Sequence, residues 1–195
     1  MVPPSSPTVR AAHLLEDLRS LAVLGPTDAA RVLAQLPPAS LKAIEAAVPT
    51  ARLPLALNLE MAEVVYRVAG EAGCRRWGTA SLLASLDGFF KPLFLGLTKL
   101  MAPSPSLMFK TMPQGWATAY QGCGTIAVEQ PVPGQTRLTC VGIAPAMVTP
   151  AFLHAVSGTL AAAFEVSRYT GTVTLEPWKP GADEVSWLVT WKKAG

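Results

Sequence analysis

Along the first fifty residues, apolar side chains recur at helical spacing between proline breaks. Leu14, Leu15, Leu18, Leu21 and Ala22 fall on one face of a helix predicted over residues 8–24, with Thr8 as its cap and Gly25-Pro26 as its stop. Thr27 and Asp28 open a second helix through Leu36, stopped by Pro37-Pro38, and Ser40 caps a third that ends before Pro49. Longer helices follow from Leu55. Over residues 60–71, Met61, Val64, Val65 and Val68 form one stripe while Glu60, Glu63 and Arg67 face away. Gly73 is expected to break the run, and residues 75–86 resume it with Leu82, Leu83 and Leu86 inward. Residues 89–101 carry Phe89, Phe90, Leu93, Phe94, Leu97, Leu100 and Met101 around most of the helix circumference. A helix apolar on nearly all sides is central to a core, or lines a cavity or an interface. Pro103 and Pro105 then admit one more short helix, residues 106–114.

The period changes in the last third. Residues 124–129 and 136–143 alternate and are β-branched, and Pro131-Val-Pro-Gly joins them as a hairpin. Residues 150–169 read as a helix with Phe152, Leu153, Val156, Leu160, Ala163 and Phe164 as its buried stripe, and strands over 171–176 and 185–191 follow. The order is helices, then β-β-α-β-β. Connections of this length predict an α+β fold, a helical layer on one face of a four-stranded antiparallel sheet. Residues 1–55 read as an N-terminal helical extension and 56–195 as the domain. Trp187 and Trp191 share one face of the last strand, and Val185 and Val189 on the same side argue that it faces inward. Gly158, Ala161 and Ala162 make a small-residue strip on the crossover helix, expected to pack on the sheet.

Composition sharpens this picture. Half of the 195 residues are hydrophobic and 15% are charged, and the mean hydropathy is +0.34. The chain is globular, and one of this size buries roughly 70% of its unfolded surface. The best candidate membrane span, residues 81–101, contains Asp87, Lys91, Pro92 and Lys99. One centrally placed charge costs about 2.5–3.5 kcal/mol on insertion, so the apolar surplus is expected in a core, a cavity or an interface. The net charge of +3 is unevenly spread. Arg75, Arg76, Lys91, Lys99 and Lys110 stand against Asp87 alone over residues 72–128, a stretch that reads either as a surface for an acidic partner or as scattered solvated charges. Nucleic acid is not expected as a partner.

The chemistry-bearing residues are few. Cys74, Cys123 and Cys140 are widely spaced and His13 and His154 are the only histidines, so no zinc site of ordinary ligand spacing can form and no metal is expected. The amino terminus shows no signal-peptide pattern, which points to a reducing cytoplasm with free, buried thiols. Glu165 lies eleven residues beyond His154 on one helix, about 16 Å away, so the two form no dyad. Cys140 could face that helix, or His154 could be an ordinary helix histidine. No nucleophile elbow, P-loop or dinucleotide fingerprint is present.

In order, Trp116-Ala-Thr-Ala-Tyr120-Gln-Gly122, the β-hairpin, the helix with Gly158-Thr-Leu-Ala-Ala, the Tyr169-Thr-Gly171 turn and the closing Val189-Thr-Trp191 strand resemble the haem-NO-binding, 4-vinyl-reductase-like and TRAPP-subunit-like ligand-binding superfamily. The resemblance spans residues 56–195 and looks most like an uncharacterised branch common in myxobacteria. It implies a hydrophobic pocket between helices and sheet, dimerisation through helices, and a sensor, adaptor or assembly role. Two departures matter. The haem-binding branch carries Tyr-x-Ser-x-Arg and an axial histidine; here Val166-Ser-Arg-Tyr-Thr170 has the wrong order and neither histidine falls in the corresponding helix. Haem is therefore not carried over and no cofactor is expected; nor do Cys74, Cys123 and Cys140 match the cysteine that some members of that family use for acylation or metal binding.

The sequence thus predicts a non-enzymatic sensor or adaptor that binds a hydrophobic small molecule, a protein partner, or both, as a homodimer. Pocket residues are expected to be Phe90, Phe94, Met101, Met108, Met112, Trp116 and Phe164, and the dimer face Phe89, Leu93 and Leu97. The apolar helix also suits the core or a peripheral membrane contact, with Lys91 and Lys99 reaching the headgroups. Two other functions stay open: a scaffold subunit whose cavity is filled by its own side chains, and a reductase-like or enzyme-accessory protein.

Overall fold

A computed structural model describes residues 6–87 and 104–194. Six helices and seven strands are present among them. The strands are β1 (Thr8–Arg10), β2 (Arg52–Pro54), β3 (Tyr120–Gln121), β4 (Thr125–Glu129), β5 (Gln135–Val141), β6 (Tyr169–Leu175) and β7 (Glu184–Lys193). The helices are α1 (Ala11–Ser20), α2 (Pro26–Gln35), α3 (Pro38–Glu45), α4 (Leu55–Asp87), α5 (Pro105–Ala119) and α6 (Pro150–Glu165). The larger sheet is the expected one, antiparallel in the order β4-β5-β7-β6. Its inward positions alternate as read from the sequence: Val185, Trp187 and Val189 are buried, and the Trp187 indole donates to Ser157 Oγ on α6 at 3.0 Å.

Four local expectations are corrected. Residues 8–10 are strand and not the first turn of a helix, because β1 is the centre of a second sheet, β2-β1-β3, whose neighbours take its backbone groups. Paired backbone overrides the Thr8 cap. The break expected at Gly73 falls at Gly70, where φ is 65° and ψ is −166°, a conformation open to glycine; Gly73 stays helical and buried. The helix over 106–114 continues to Ala119 with Pro113 inside it. Finally, the small-residue strip on α6 does not meet the sheet at Gly158. A side chain at Gly158 would collide with the backbone of Arg75, and one at Gly78 with the backbone of Ala155, so two glycines let α4 and α6 touch backbone to backbone.

That contact explains why α6 is apolar on so much of its circumference. Phe152, Leu153, Leu160 and Ala163 join the core formed with the larger sheet and α5, while Ala151 and Ala155 join a second core with α1, α2, α3 and α4. Buried against two layers, a helix keeps little polar face. Tyr120 packs against both cores. No helix among the described residues is long and apolar enough to cross a membrane.

Candidate functional site

The site begins with the spacing of α5. Ser104 caps the helix by accepting from the Leu107 backbone N–H, Pro105 opens it, and steps of four place Met108, Met112 and Trp116 on one side. Leu82 and Leu86 at the end of α4 and Val156, Thr159, Leu160 and Ala163 of α6 face them, with His13 and Tyr120 closing one end. Together they line a cavity of ≈ 110 Å³. Its wall is aromatic and sulfur-rich. Trp116 lies 4.6 Å from Tyr120, centroid to centroid, and both approach Phe152 edge-on.

Of the seven pocket residues expected from the sequence, Met108, Met112 and Trp116 line the cavity. Phe164 does not. It sits one helical step beyond Ala163, and its ring lies where a side chain on Gly171 of β6 would stand, so it fills space over the sheet. Phe90, Phe94 and Met101, and the expected dimer residues Phe89, Leu93 and Leu97, lie outside the described residues.

Behind the His13 and Tyr120 end is a buried polar network, next to a smaller void of ≈ 30 Å³. Asp17 of α1 is 3% exposed. One carboxylate oxygen accepts from Ser81 Oγ; the other accepts from Asn58 Nδ2 at 2.8 Å and lies 3.6 Å from His13 Nε2. The Trp77 indole donates to the Asp17 backbone carbonyl at 2.8 Å. Tyr120 donates to Asn58 Oδ1 at 3.3 Å, and His13 Nε2 lies 3.0 Å from its hydroxyl. The proton order follows from these contacts. A carboxylate only accepts, so Asn58 turns its amide nitrogen to Asp17 and its oxygen to Tyr120. The single phenolic proton goes to Asn58, which makes His13 Nε2 the donor to Tyr120. Burial pushes the Asp17 pKa up, partly offset by His13 and by the Ser81 and Asn58 hydrogen bonds. Burial and the nearby Asp17 also hold the Tyr120 hydroxyl well above its usual range.

Sequence reasoning passed over His13, Asp17, Asn58 and Ser81. One signal was available: Asp17 stands between Leu14 and Leu21 on the same helical stripe, and an acid within an apolar stripe marks a buried, partnered carboxylate.

The other chemistry-bearing residues lie apart. His154 faces α4, with Nδ1 3.4 Å from Glu71 and its ring stacked on Tyr66, and desolvation lowers its pKa. Cys140 is buried beside Cys123. Burial pushes the Cys74 and Cys140 thiols up to about 12 and Cys123 to about 11. At pH 8 only about one in ten thousand thiols of pKa 12 is ionised. A disulfide reagent is therefore expected to leave all three cysteines unlabelled in the native protein and to label three in urea. Prompt native labelling would show that one of them is accessible. No group of three or more His, Cys, Asp or Glu able to hold a metal occurs among the described residues.

The architecture is that of H-NOX domains. Among solved structures, an H-NOX protein from S. oneidensis in the Fe(II) ligation state superposes with a TM-score of 0.66 at 10% identity, covering 95% of this chain and 97% of that one. An Fe(II) unliganded H-NOX protein from K. algicida gives 0.64 at 13% identity over 94% and 97%. An oxygen-binding H-NOX domain related to soluble guanylate cyclases gives 0.59 at 10% identity over 93% and 94%. At such identities the likeness is one of fold. The 4-vinyl-reductase-like and TRAPP-like parts of the resemblance, and the myxobacterial branch, take no support from these structures. No family model and no curated protein matches the sequence.

The haem of the H-NOX fold does not fit the described residues. Cofactor pockets measure roughly 300–1,000 Å³, against ≈ 110 Å³ here. Among the described residues no lysine or arginine lines the cavity to pair with propionates, and the one lining imidazole, His13, has Nε2 engaged by Tyr120.

Proposed function

We propose that this chain is a non-enzymatic sensor or adaptor domain that takes a small hydrophobic molecule into the cavity between α4, α5 and α6. The observation that carries the reading is the cavity itself, ≈ 110 Å³ with Met108, Met112, Trp116, Leu82, Leu86 and Leu160 in its wall. An apolar void of about 150 Å³ in another protein stays dry and binds benzene, so a space of this size and lining suits a one-ring occupant. Free, buried thiols suit a reducing compartment such as the cytoplasm. Contact with an acidic protein belongs to the same reading, supported by exposed Arg76 and Lys110.

Toluene titrated into protein carrying ¹³C-methyl methionine is expected to shift the Met108 and Met112 resonances, saturably, and to leave those of Met61 and Met147, buried elsewhere in the two cores, nearly unmoved. Ala163→Leu, which fills the cavity from α6, is expected to abolish the shifts without lowering the melting temperature. A scaffold subunit with a filled cavity predicts no shift at either residue, and that result would reject the binding reading.

A further inference from the structure

The cavity wall is apolar except at a few side chains, and the hydrogen bonds of those side chains run one way. The Thr111 hydroxyl donates to the Met108 carbonyl at 2.8 Å. Thr159 donates within α6 to the Ala155 carbonyl at 3.2 Å, with the Gly78 carbonyl at 3.4 Å as its other acceptor. The Trp116 indole donates to the Gly124 carbonyl at 3.2 Å. Tyr120 donates to Asn58, and the His13 Nε2 proton goes to Tyr120. Each of these protons is held by the protein. What the described lining residues leave for an occupant is the lone pairs of hydroxyl oxygens, and among them no lysine or arginine adds a donor or a positive charge.

We infer that the cavity selects a neutral one-ring aromatic bearing an O–H or N–H, a phenol or an aniline, whose proton is accepted by Tyr120 Oη or Thr159 Oγ1. The inference rests on the ligand-binding reading above and goes beyond it by naming the chemistry of the ligand. Size sets the single ring, since ≈ 110 Å³ lies somewhat below the void of about 150 Å³ that holds benzene. Ring contacts favour an aromatic over an aliphatic alcohol, because Trp116, Tyr120 and Phe109 offer edges and faces and Met108 and Met112 offer sulfur. The polar head falls to Tyr120 and Thr159 because both residues also border the smaller void beside the Asp17 network. A carboxylate or a carbonyl compound would set its lone pairs against theirs. Pyridine, an acceptor-only ring no larger than benzene, is excluded by this chemistry and not by size.

The test compares donors with acceptors on the full chain. Phenol, aniline, pyridine, benzonitrile and toluene are titrated separately, with the Met108 and Met112 methyl shifts as the readout. Phenol and aniline are expected to bind at least about fivefold tighter than pyridine and benzonitrile, the effect of one net hydrogen bond. In Thr159→Val or in Tyr120→Phe, checked for unchanged melting, that preference is expected to fall toward unity while toluene binding is retained. Equal or tighter binding of pyridine and benzonitrile, with toluene still bound, would overturn the donor rule and leave the cavity reading standing. Preference that survives in both variants would overturn the assigned acceptors. Failure of all five compounds, toluene included, would remove the ligand-binding reading and this inference with it.

Discussion

Gly78→Ala is expected to destabilise the protein by more than about 3 kcal/mol, and Gly158→Ala by a similar amount, read as a drop in the urea midpoint. The reason lies in what the new methyl would meet. At Gly78 it would enter the Ala155 carbonyl, and at Gly158 the Arg75 carbonyl. These are backbone atoms of neighbouring helices, with no flexible side chain to swing aside, so relief requires α4 and α6 to separate. Separation would open both cores at once, because α6 contributes to each. It would also stretch the Thr79 hydroxyl's hydrogen bond to the Gly158 carbonyl, 2.8 Å long. Overpacking of a well-filled core commonly costs about 1–3 kcal/mol, and a backbone obstruction belongs at or beyond the upper end. The ordinary gain in helix propensity from Gly to Ala, about 1 kcal/mol, acts in the opposite direction. Stability unchanged or raised in both variants would show that the two helices do not touch as described.

Asp17→Ala is expected to cost about 3 kcal/mol or more by the same measurement. It removes the acceptor that holds Ser81 and Asn58 and leaves their donors buried, a loss of the kind seen when one partner of a buried polar set is deleted. The pH profile separates the charge from the hydrogen bonds. Burial raises the Asp17 pKa above its ordinary 3.8, so the native state holds this proton more tightly than the unfolded chain does. Below about pH 4 both states carry it. As pH rises from there through the raised native pKa, the unfolded chain releases the proton first and the contribution of this group to stability declines. Asp17→Asn cannot titrate, so its stability relative to wild type is expected to improve across that window. A difference between the two that stays flat from pH 4 to 8 would show that the folded-state pKa is not raised.

The larger sheet was legible because β4, β5 and β7 alternate over enough positions to show a period of two, and because Val185, Trp187 and Val189 agree on which face is inward. The smaller sheet was not. β1 and β2 have three residues each and β3 has two, too few for any period to register, and their pairing is decided by chain segments far apart in the sequence. The site divides in the same way. Met108 and Met112 fall on one side of the helix expected over 106–114 by their spacing of four, and the continuation of α5 to Ala119 adds Trp116 to that side. His13 and Asp17 reach the same place only when α1 packs on α4 and His13 meets Tyr120 of β3, which no local pattern encodes. Phe164 illustrates a finer limit: adjacent positions on a helix point about 100° apart, so a broad apolar stripe does not say which member meets the cavity and which meets β6. The glycines of the α4 and α6 contact read as a small-residue strip, but a strip does not name the layer that packs on it.

The pairing of β1 with β3 constrains the order in which the fold can be completed. Thr8 and Val9 register with Gln121 and Tyr120, and His13 and Tyr120 stand 107 positions apart. Contacts at such separation form only after a large loop-closure entropy has been overcome. During synthesis, α1, α2 and α3 leave the ribosome well before Tyr120 exists, and until then the central strand of the smaller sheet has β2 on one side and an open edge on the other. Closure of that edge and the phenolic hydrogen bond to Asn58 both depend on Tyr120, the residue that follows α5.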